Sequence, residues 1–248
     1  IDRFDFTKKI NTFDLRTTAI SEGSKEFFNK INIWHHFFTH AEKIKYIGVN
    51  DRDKKRKINF YNLKKGGFLG YIVKNSVIKL SILKKLKNKK NVKIINKQNF
   101  LSSSLNNNFV ETQFNNYKIS ASLIIAADGK KSSIRNYLNL PIYKKIYPHK
   151  AIVINFHHTK NHKNTAHELF YATGPLAILP MKKIKKNTFS SSVIWSNKSE
   201  FISNLEKIDK NLIKLILEER IHSYVGEIIE IDSVQKFNLS AHINSRFY

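Results

Sequence analysis

Apolar positions along the chain follow two periods, and these predict most of its elements. Phe27, Phe28, Ile31 and Trp34 recur at helical spacing behind Ser21, which predicts a capped helix from Ser21 to about Phe38. Residues 43–50 and 57–62 alternate apolar and polar, as paired strands do, with the charged stretch 51–57 as a hairpin tip. Val77, Ile78, Leu80, Ile82, Leu83 and Leu86 mark an amphipathic helix. Val92–Ile95 reads as a short strand, and 109–114 with 117–120 as a hairpin around Asn115-Asn116. Ser120–Ala127 is apolar enough to be a buried strand.

From Ala151 the texture changes. Residues 151–158, 168–171, 176–181 and 188–195 read as strands separated by polar turns, without helices between them. That order predicts an antiparallel sheet. Helices are expected over about 198–208 and 210–224, and a last strand over 233–239.

Composition narrows the chemistry. There is no cysteine, so there is neither a disulfide framework nor a thiolate metal site. No apolar run reaches the roughly 18 residues of a membrane-spanning helix. Lys and Arg number 44 against 19 Asp and Glu, a formal net charge of +25. Such a balance suits an anionic partner, nucleic acid or bilayer. The excess is mostly lysine, in a chain also rich in Asn and Ile, as an AT-rich genome favours at tolerant positions. The lysines are spread along the chain, which argues against a nucleic-acid interface and leaves peripheral attraction to an anionic membrane. His157, His158, His162 and His167 cluster in sequence but show no metal-ligand spacing, and no metal is assigned to them.

The stretch richest in chemistry is Ile124-Ile125-Ala126-Ala127-Asp128-Gly129-Lys130-Lys131-Ser132-Ser133-Ile134-Arg135. An apolar run ends in Asp-Gly, and a polar turn then opens a helix. Phosphates and ribose hydroxyls are commonly held at such a junction, where free N–H groups point outward. Gly129 permits close backbone approach, Asp128 accepts from hydroxyls, and Arg135 offers a planar fork to phosphate. The same residues also suit an ordinary strand, turn and surface helix.

Asp128-Gly129-x-x-Ser132-x-x-Arg135 resembles the second cofactor motif of the single-component flavoprotein aromatic hydroxylases, the p-hydroxybenzoate-hydroxylase-like superfamily. Phe13-Asp14-Leu15-Arg16-Thr17-Thr18-Ala19-Ile20-Ser21, Gly70-Tyr71-Ile72-Val73-Lys74-Asn75 and Gly174-Pro175-Leu176-Ala177-Ile178-Leu179-Pro180-Met181 resemble its branch in ubiquinone biosynthesis. Ser191–Ser196 and Phe237–Ala241 fall where that branch has similar strings. Each string is short, but their order and spacing agree from residue 13 onward.

The resemblance implies an α/β (α+β) fold: a Rossmann-like FAD/NAD(P)-binding domain interleaved with an antiparallel substrate-binding sheet. Residues 1–40 and 68–150 would form the FAD-binding part, with 241–248 returning to it. Residues 41–67 and 151–240 would form the substrate sheet. The family's Gly-x-Gly-x-x-Gly turn and its later Gly-Asp motif are not in this sequence, so the chain is expected to be a fragment truncated at both ends. The alternative is a relative that has lost its cofactor.

The resemblance also implies the chemistry and its residues. FAD, reduced by NAD(P)H or another donor, would activate O₂ and hydroxylate a polyprenylated aromatic ring. No hydrolytic triad or carboxylate pair is required. Arg16, Asn75, Asp128, Gly129, Ser132 and Arg135 would bind or organise FAD, and Leu176, Leu179 and Pro180 would wall the substrate pocket. Arg16 could instead be half of a surface pair with Asp14, Asn75 a helix cap, Ser132 a turn cap, and the Leu176 strand simply core. The expected setting is the cytoplasmic face of the inner membrane, with other ubiquinone-biosynthesis enzymes as partners. Competing readings are a hydroxylase of the same fold acting on another ring, and a cofactor-free basic module that binds nucleic acid or membrane.

Overall fold

The computed structural model describes residues 1–5, 14–51, 56–64, 66–185 and 187–246, with backbone alone at 184 and 185. In chain order the elements are β1 (Thr17–Ser21), α1 (Glu22–Lys30), β2 (Glu42–Ile44), β3 (Tyr46–Asp51), β4 (Arg56–Tyr61), β5 (Gly70–Lys74) and α2 (Asn75–Lys87). There follow β6 (Phe100–Leu105), β7 (Val110–Phe114), β8 (Lys118–Ala121), α3 (Ser133–Tyr137), β9 (Ile142–His158), β10 (Thr165–Tyr171), β11 (Gly174–Lys185), β12 (Thr188–Lys198), α4 (Ser199–Leu205), α5 (Lys210–Val225) and β13 (Ile228–Asn244). Two compact units result. The larger holds Asn11–Lys85 and Tyr147–Leu239, and the smaller Ile1–Ile10, Leu86–Ile146 and Ser240–Tyr248.

The larger unit is built on a seven-stranded sheet of order β13-β9-β12-β11-β10-β3-β4. The pairs β9–β12, β12–β11, β11–β10 and β3–β4 are antiparallel, as the run of strands from Ala151 predicts. The pair β10–β3 is parallel, so the sheet is mixed. Strand alternation sends Ile152, Ile154 and Phe156 to one face with Leu176, Ile178, Val193 and Trp195. Helices α4 and α5 cover that face. Ile213, Leu217, Ile221 and Val225 form one buried stripe of α5 at four-residue spacing. Asp209 caps this helix, accepting from Asn211 N and Leu212 N, and Gly226 ends it at φ 71°.

A second, three-stranded sheet of the same unit has the order β1-β5-β2. It contributes Ile44 and Ile72 to a cluster with Ala166 and Met181, whose side chain lies across β11 from the helix-covered face. Ser21 caps α1 as its sequence predicts, accepting from Ser24 N at 3.2 Å. The helix stops at Lys30, however, rather than near Phe38. Asn32 takes a left-handed conformation (φ 53°), and the aromatic run continues as short 3₁₀ turns. This lets Trp34 and Phe37 turn inward, with ring centroids 5.1 Å apart and Trp34 4.9 Å from Tyr71. The hairpin β3–β4 forms in register, while the centre of its predicted tip lies outside the described residues.

The smaller unit carries the antiparallel sheet β6-β7-β8, which includes the hairpin predicted around Asn115-Asn116. Tyr137 of α3 packs edge-on against Phe100 and donates its hydroxyl to Ser103 O at 3.0 Å. Two expected strands do not form here. Residues 92–95 are irregular, and their Ile95 carbonyl accepts from Asp2 N instead. Residues 123–127 form no ladder, Ala127 N donates to Ile125 O at 3.1 Å, and Leu123 is 71% and Ile125 79% exposed. An apolar run becomes a buried strand only when neighbouring strands take up its N–H and C=O groups, and among the described residues none does. Residues of β1, α1, β5 and α2 thus pack in the larger unit with the seven-stranded sheet, where the sequence expectation set 1–40 and 68–150 together as a cofactor-binding part.

Candidate functional site

In the larger unit, Asp14 gathers a polar cluster at the start of β1 and α2. Arg16 donates to it twice, Nε to Oδ1 at 2.8 Å and Nη2 to Oδ2 at 2.9 Å. Lys79 Nζ reaches Oδ2 at 2.7 Å, and Asn75 Nδ2 donates to it at 3.3 Å. Thr18 Oγ1 donates to Asn75 Oδ1 at 2.6 Å, and Asn75 N donates to Arg16 O at 3.0 Å. The hydrogen bonds from Arg16, with those from Lys79 and Asn75, outweigh partial burial and hold the Asp14 carboxyl well below the usual carboxylate range. The Arg16 side chain is 50% exposed while Asp14 is 13% exposed, so the carboxylate anchors a guanidinium that still faces outward. Arg16 also lies over the Phe237 ring at 5.2 Å.

Asn75 and Lys79 border a cleft of about 710 Å³ that is otherwise lined by β1, α1 and Ile78. The structure therefore brings together Arg16 and Asn75, two of the sequence-predicted cofactor residues. Phosphate and hydroxyl groups meet a cationic, donor-rich set here, which fits the polar parts of FAD.

The other four cofactor candidates lie together in the smaller unit. Asp128 Oδ2 accepts from Ser133 N at 2.7 Å, and Ser132 Oγ accepts from Arg135 N at 3.0 Å. Both side chains thus cap the first turn of α3. Burial works to raise the Asp128 pKa, but the donors at Ser132, Ser133 and Ile134 outweigh it and lower it. Gly129 has φ +90°, and a Cβ there would meet nothing within 4 Å, so its backbone is open to approach. Arg135 is turned inward. It is 9% exposed, its Nη2 donates to Lys130 O at 2.8 Å, and its Nε has no partner. It braces the loop and presents no fork to a phosphate.

The proposed substrate wall divides between the two faces of β11. Leu176 is wholly buried in the helix-covered core, and Leu179 packs on the opposite side against the cluster of Ile44, Ile72, Ala166 and Met181. Pro180, also buried, pairs with Ser191 of β12. The next residue, Met181, lines a second cleft of about 510 Å³, with Ile72, Lys74 and Val77 on one side and Asn155, Lys182, Lys183, Ser190 and Ser191 on the other.

The sequence reading missed Asn155. The signal was present in Ile152-Val153-Ile154-Asn155-Phe156, where one amide interrupts an apolar strand. Of the clustered histidines, His158 bonds Val225 O through Nδ1 (3.1 Å) and Ser191 Oγ through Nε2 (2.9 Å), and the His167 ring lies tilted against Tyr224 with centroids 4.5 Å apart.

Comparison with known proteins shows the family and the fold. The profile of a family described as "FAD binding domain" matches residues 6–248. The ubiquinone hydroxylase UbiL of Rhodospirillum rubrum is 23% identical over 236 residues, covering 95% of this chain and 54% of that protein. The ubiquinone biosynthesis monooxygenase COQ6 of Caenorhabditis elegans is 29% identical over 203 residues, covering 79% of this chain and 44% of that protein. The chain thus spans about half the length of the curated relatives it matches. Among solved structures, a variant of PqsL from P. aeruginosa superposes with a TM-score of 0.75 at 12% identity, covering 96% of this chain and 65% of that one. The flavin-dependent monooxygenase PieE, solved with FAD and substrate, gives 0.73 at 10% identity, covering 96% and 45%. At these identities the likeness is one of fold.

Proposed function

The chain belongs to the FAD binding domain family, and from that premise we propose that the whole protein is an FAD-dependent monooxygenase that hydroxylates a polyprenylated aromatic ring in ubiquinone biosynthesis. The observation that carries the reading is one of order: the strings at Asp14–Ser21, Gly70–Asn75, Asp128–Arg135 and Gly174–Met181 follow the sequence of that branch along a single chain. The names of the UbiL and COQ6 relatives support it.

Bound FAD, once reduced by NAD(P)H or another donor, supplies the chemistry that activates O₂. The protein's part is to bind, orient and exclude water. Arg16, set by Asp14, holds an anionic part of the cofactor. Asn75, fixed by Thr18, orients a polar edge, and the Asp128–Ser132 turn keeps Gly129 open to backbone approach. The substrate ring meets the second cleft, where Ile72, Val77 and Met181 supply apolar walls. The polyprenyl lipid and O₂ are the partners. The enzyme works at the cytoplasmic face of the inner membrane, beside other enzymes of the same pathway.

The test is a strain lacking its own ubiquinone hydroxylases, supplied with the whole gene. Relief of one hydroxylase defect, with a hydroxylated prenyl-phenol in lipid extracts, is expected. No relief and no such product would overturn the ubiquinone assignment in favour of another ring. Purified whole protein without flavin absorbance would favour the cofactor-free basic module.

A further inference from the structure

The seven-stranded sheet ends in an open strand. β4 pairs with β3 from Arg56 to Tyr61 without a register shift, and among the described residues no strand takes up its outer side. All six of its residues are exposed. Open edges are ordinarily guarded by proline, a bulge, a covering segment or charges along the strand. Here Arg56 and Lys57 guard only the first positions, and Ile58-Asn59-Phe60-Tyr61 carries no charge.

Apolar groups stand on both faces of this rim. Ile58 (59% exposed) and Phe60 (51%) lie beside Val49 and Ile47, their partners on β3, and the exposed Phe170 of β10 shares that face. Tyr61 and Tyr46, also exposed, pair across the other face. An occupant must therefore give partners to the outer N–H and C=O groups and cover side chains on both faces. Bilayer hydrocarbon offers the backbone no partner. An acidic segment would answer Arg56 and Lys57 but leave the uncharged stretch unmatched.

A second β4 meets both needs. Antiparallel pairing about a two-fold axis at Asn59 sets Ile58 opposite Phe60 of the other copy, Lys57 opposite Tyr61, and Asn59 opposite itself. Apolar meets apolar on one face, lysine meets a tyrosine on the other, and no two basic residues of the strand face each other. A register centred on Lys57 would set lysine against lysine. We propose that β4 pairs edge to edge with β4 of a second copy, joining two seven-stranded sheets into one across a two-fold axis. The contact is small, which suits a reversible dimer rather than an obligate one.

The experiment is sedimentation velocity on the whole protein, from about 1 to 200 μM, the range of a weak interface. A concentration-dependent dimer is expected. Salt should strengthen it, because chains that carry a formal charge of +25 repel one another less as the Debye length shrinks. Phe60→Lys, at an exposed position, should weaken association about tenfold while circular dichroism stays native. Tyr61→Glu, facing Lys57 of the other copy, should strengthen it. These 248 residues hold no cysteine, so, with any in the rest of the protein replaced, one introduced thiol reports the register. Asn59→Cys should oxidise to a covalent dimer, since directly opposed Cα atoms lie about 4.5–5.5 Å apart, within disulfide reach. Ile58→Cys, offset from its own counterpart, and Leu215→Cys on exposed α5 should cross-link far more slowly. A monomer at every concentration, association that salt weakens, or cross-linking at 59 no faster than at 215 would each overturn the proposal. If Phe60→Lys instead abolishes vesicle binding by a monomer, the rim faces the bilayer and the proposal likewise falls.

Discussion

Arg16 grips Asp14 with two parallel hydrogen bonds, from Nε at 2.8 Å and from Nη2 at 2.9 Å. The carboxylate is largely covered and the guanidinium half exposed, so the pair is asymmetric. A surface ion pair between two mobile side chains contributes little. Here the anion is also tied to Lys79 and Asn75, which removes its freedom and directs the arginine. The relationship that could have been an incidental pair is the fixed end of a positioning network.

Asp14→Asn should therefore do two things in the whole protein. Stability should fall by about 1–2 kcal/mol, since charged hydrogen bonds are lost while their cationic partners remain open to solvent. Flavin retained through gel filtration should fall further than in Lys79→Ala, which removes one contact without freeing Arg16. Equal retention in all three proteins would reduce Asp14 to an anchor of local structure.

The buried histidines set the direction of the acid response. Burial, reinforced by the charge of His162, pulls His158 down to about 4, and burial followed by nearby Lys160 pulls His167 to about 4. Both are thus neutral in the folded state at pH values where an unfolded histidine, near 6.5, is charged. The unfolded chain binds more protons in that interval, so stability is complete above about pH 6.5 and falls as pH drops toward 4. Each group contributes on the order of 2–3 kcal/mol at most. Urea midpoints measured between pH 7 and 4 should show the decline, and His158→Gln should flatten part of it. A midpoint constant across that range would refute the burial of both rings in neutral form.

The strands of the sheet were legible and the fate of Ser120–Ala127 was not, for one physical reason. Strands β10, β11 and β12 pair in sequence order and β9 pairs with β12, all antiparallel, so alternation finds the strands and their antiparallel sheet. Ser120–Ala127 has the composition of a core strand, but composition does not supply a neighbour, and Leu123 and Ile125 remain exposed. Motif reading placed Arg135 beside a phosphate, whereas a buried guanidinium seeks the nearest carbonyl and found Lys130 O. Asn155 escaped notice because the meaning of one amide in an apolar strand depends on what it is left unbonded to.

At the Asp-Gly turn, paired substitutions separate capping from ligand binding. Asp128→Ala removes the acceptor for Ser133 N and should cost about 0.5–2 kcal/mol as a lost cap. Asp128→Asn keeps an acceptor there and removes the charge. If the side chain only caps, flavin content should fall in the alanine variant and recover in the asparagine one. If its charge orders the cofactor's hydroxyls, both should lose flavin and slow its reduction. Gly129→Ala adds backbone strain at φ +90° but meets no atom of the chain, so any loss of flavin beyond the measured stability cost of that strain reports a ligand close to that Cα.

The last prediction concerns the membrane. No described helix is long and apolar enough to cross a bilayer, and the chain carries a formal charge of +25. If the substrate carries a polyprenyl tail, which leaves the bilayer too rarely to be met in bulk solution, the protein meets it at the interface. Lysines near anionic lipid contribute roughly 1 kcal/mol each. Lys87, Lys89 and Lys90 follow one another on exposed positions at and after the end of α2 and form a compact basic patch. The whole protein should float with vesicles containing anionic lipid, float poorly with purely zwitterionic ones, and be released by salt as the Debye length shrinks. Neutralising the three lysines together (K87Q/K89Q/K90Q) should weaken vesicle binding by up to about two orders of magnitude, the equivalent of roughly 3 kcal/mol. Binding that ignores both lipid charge and salt would place the contact on an apolar surface instead. Absence of any vesicle binding would remove the peripheral-membrane setting, and delivery of the lipid would then have to fall to another protein.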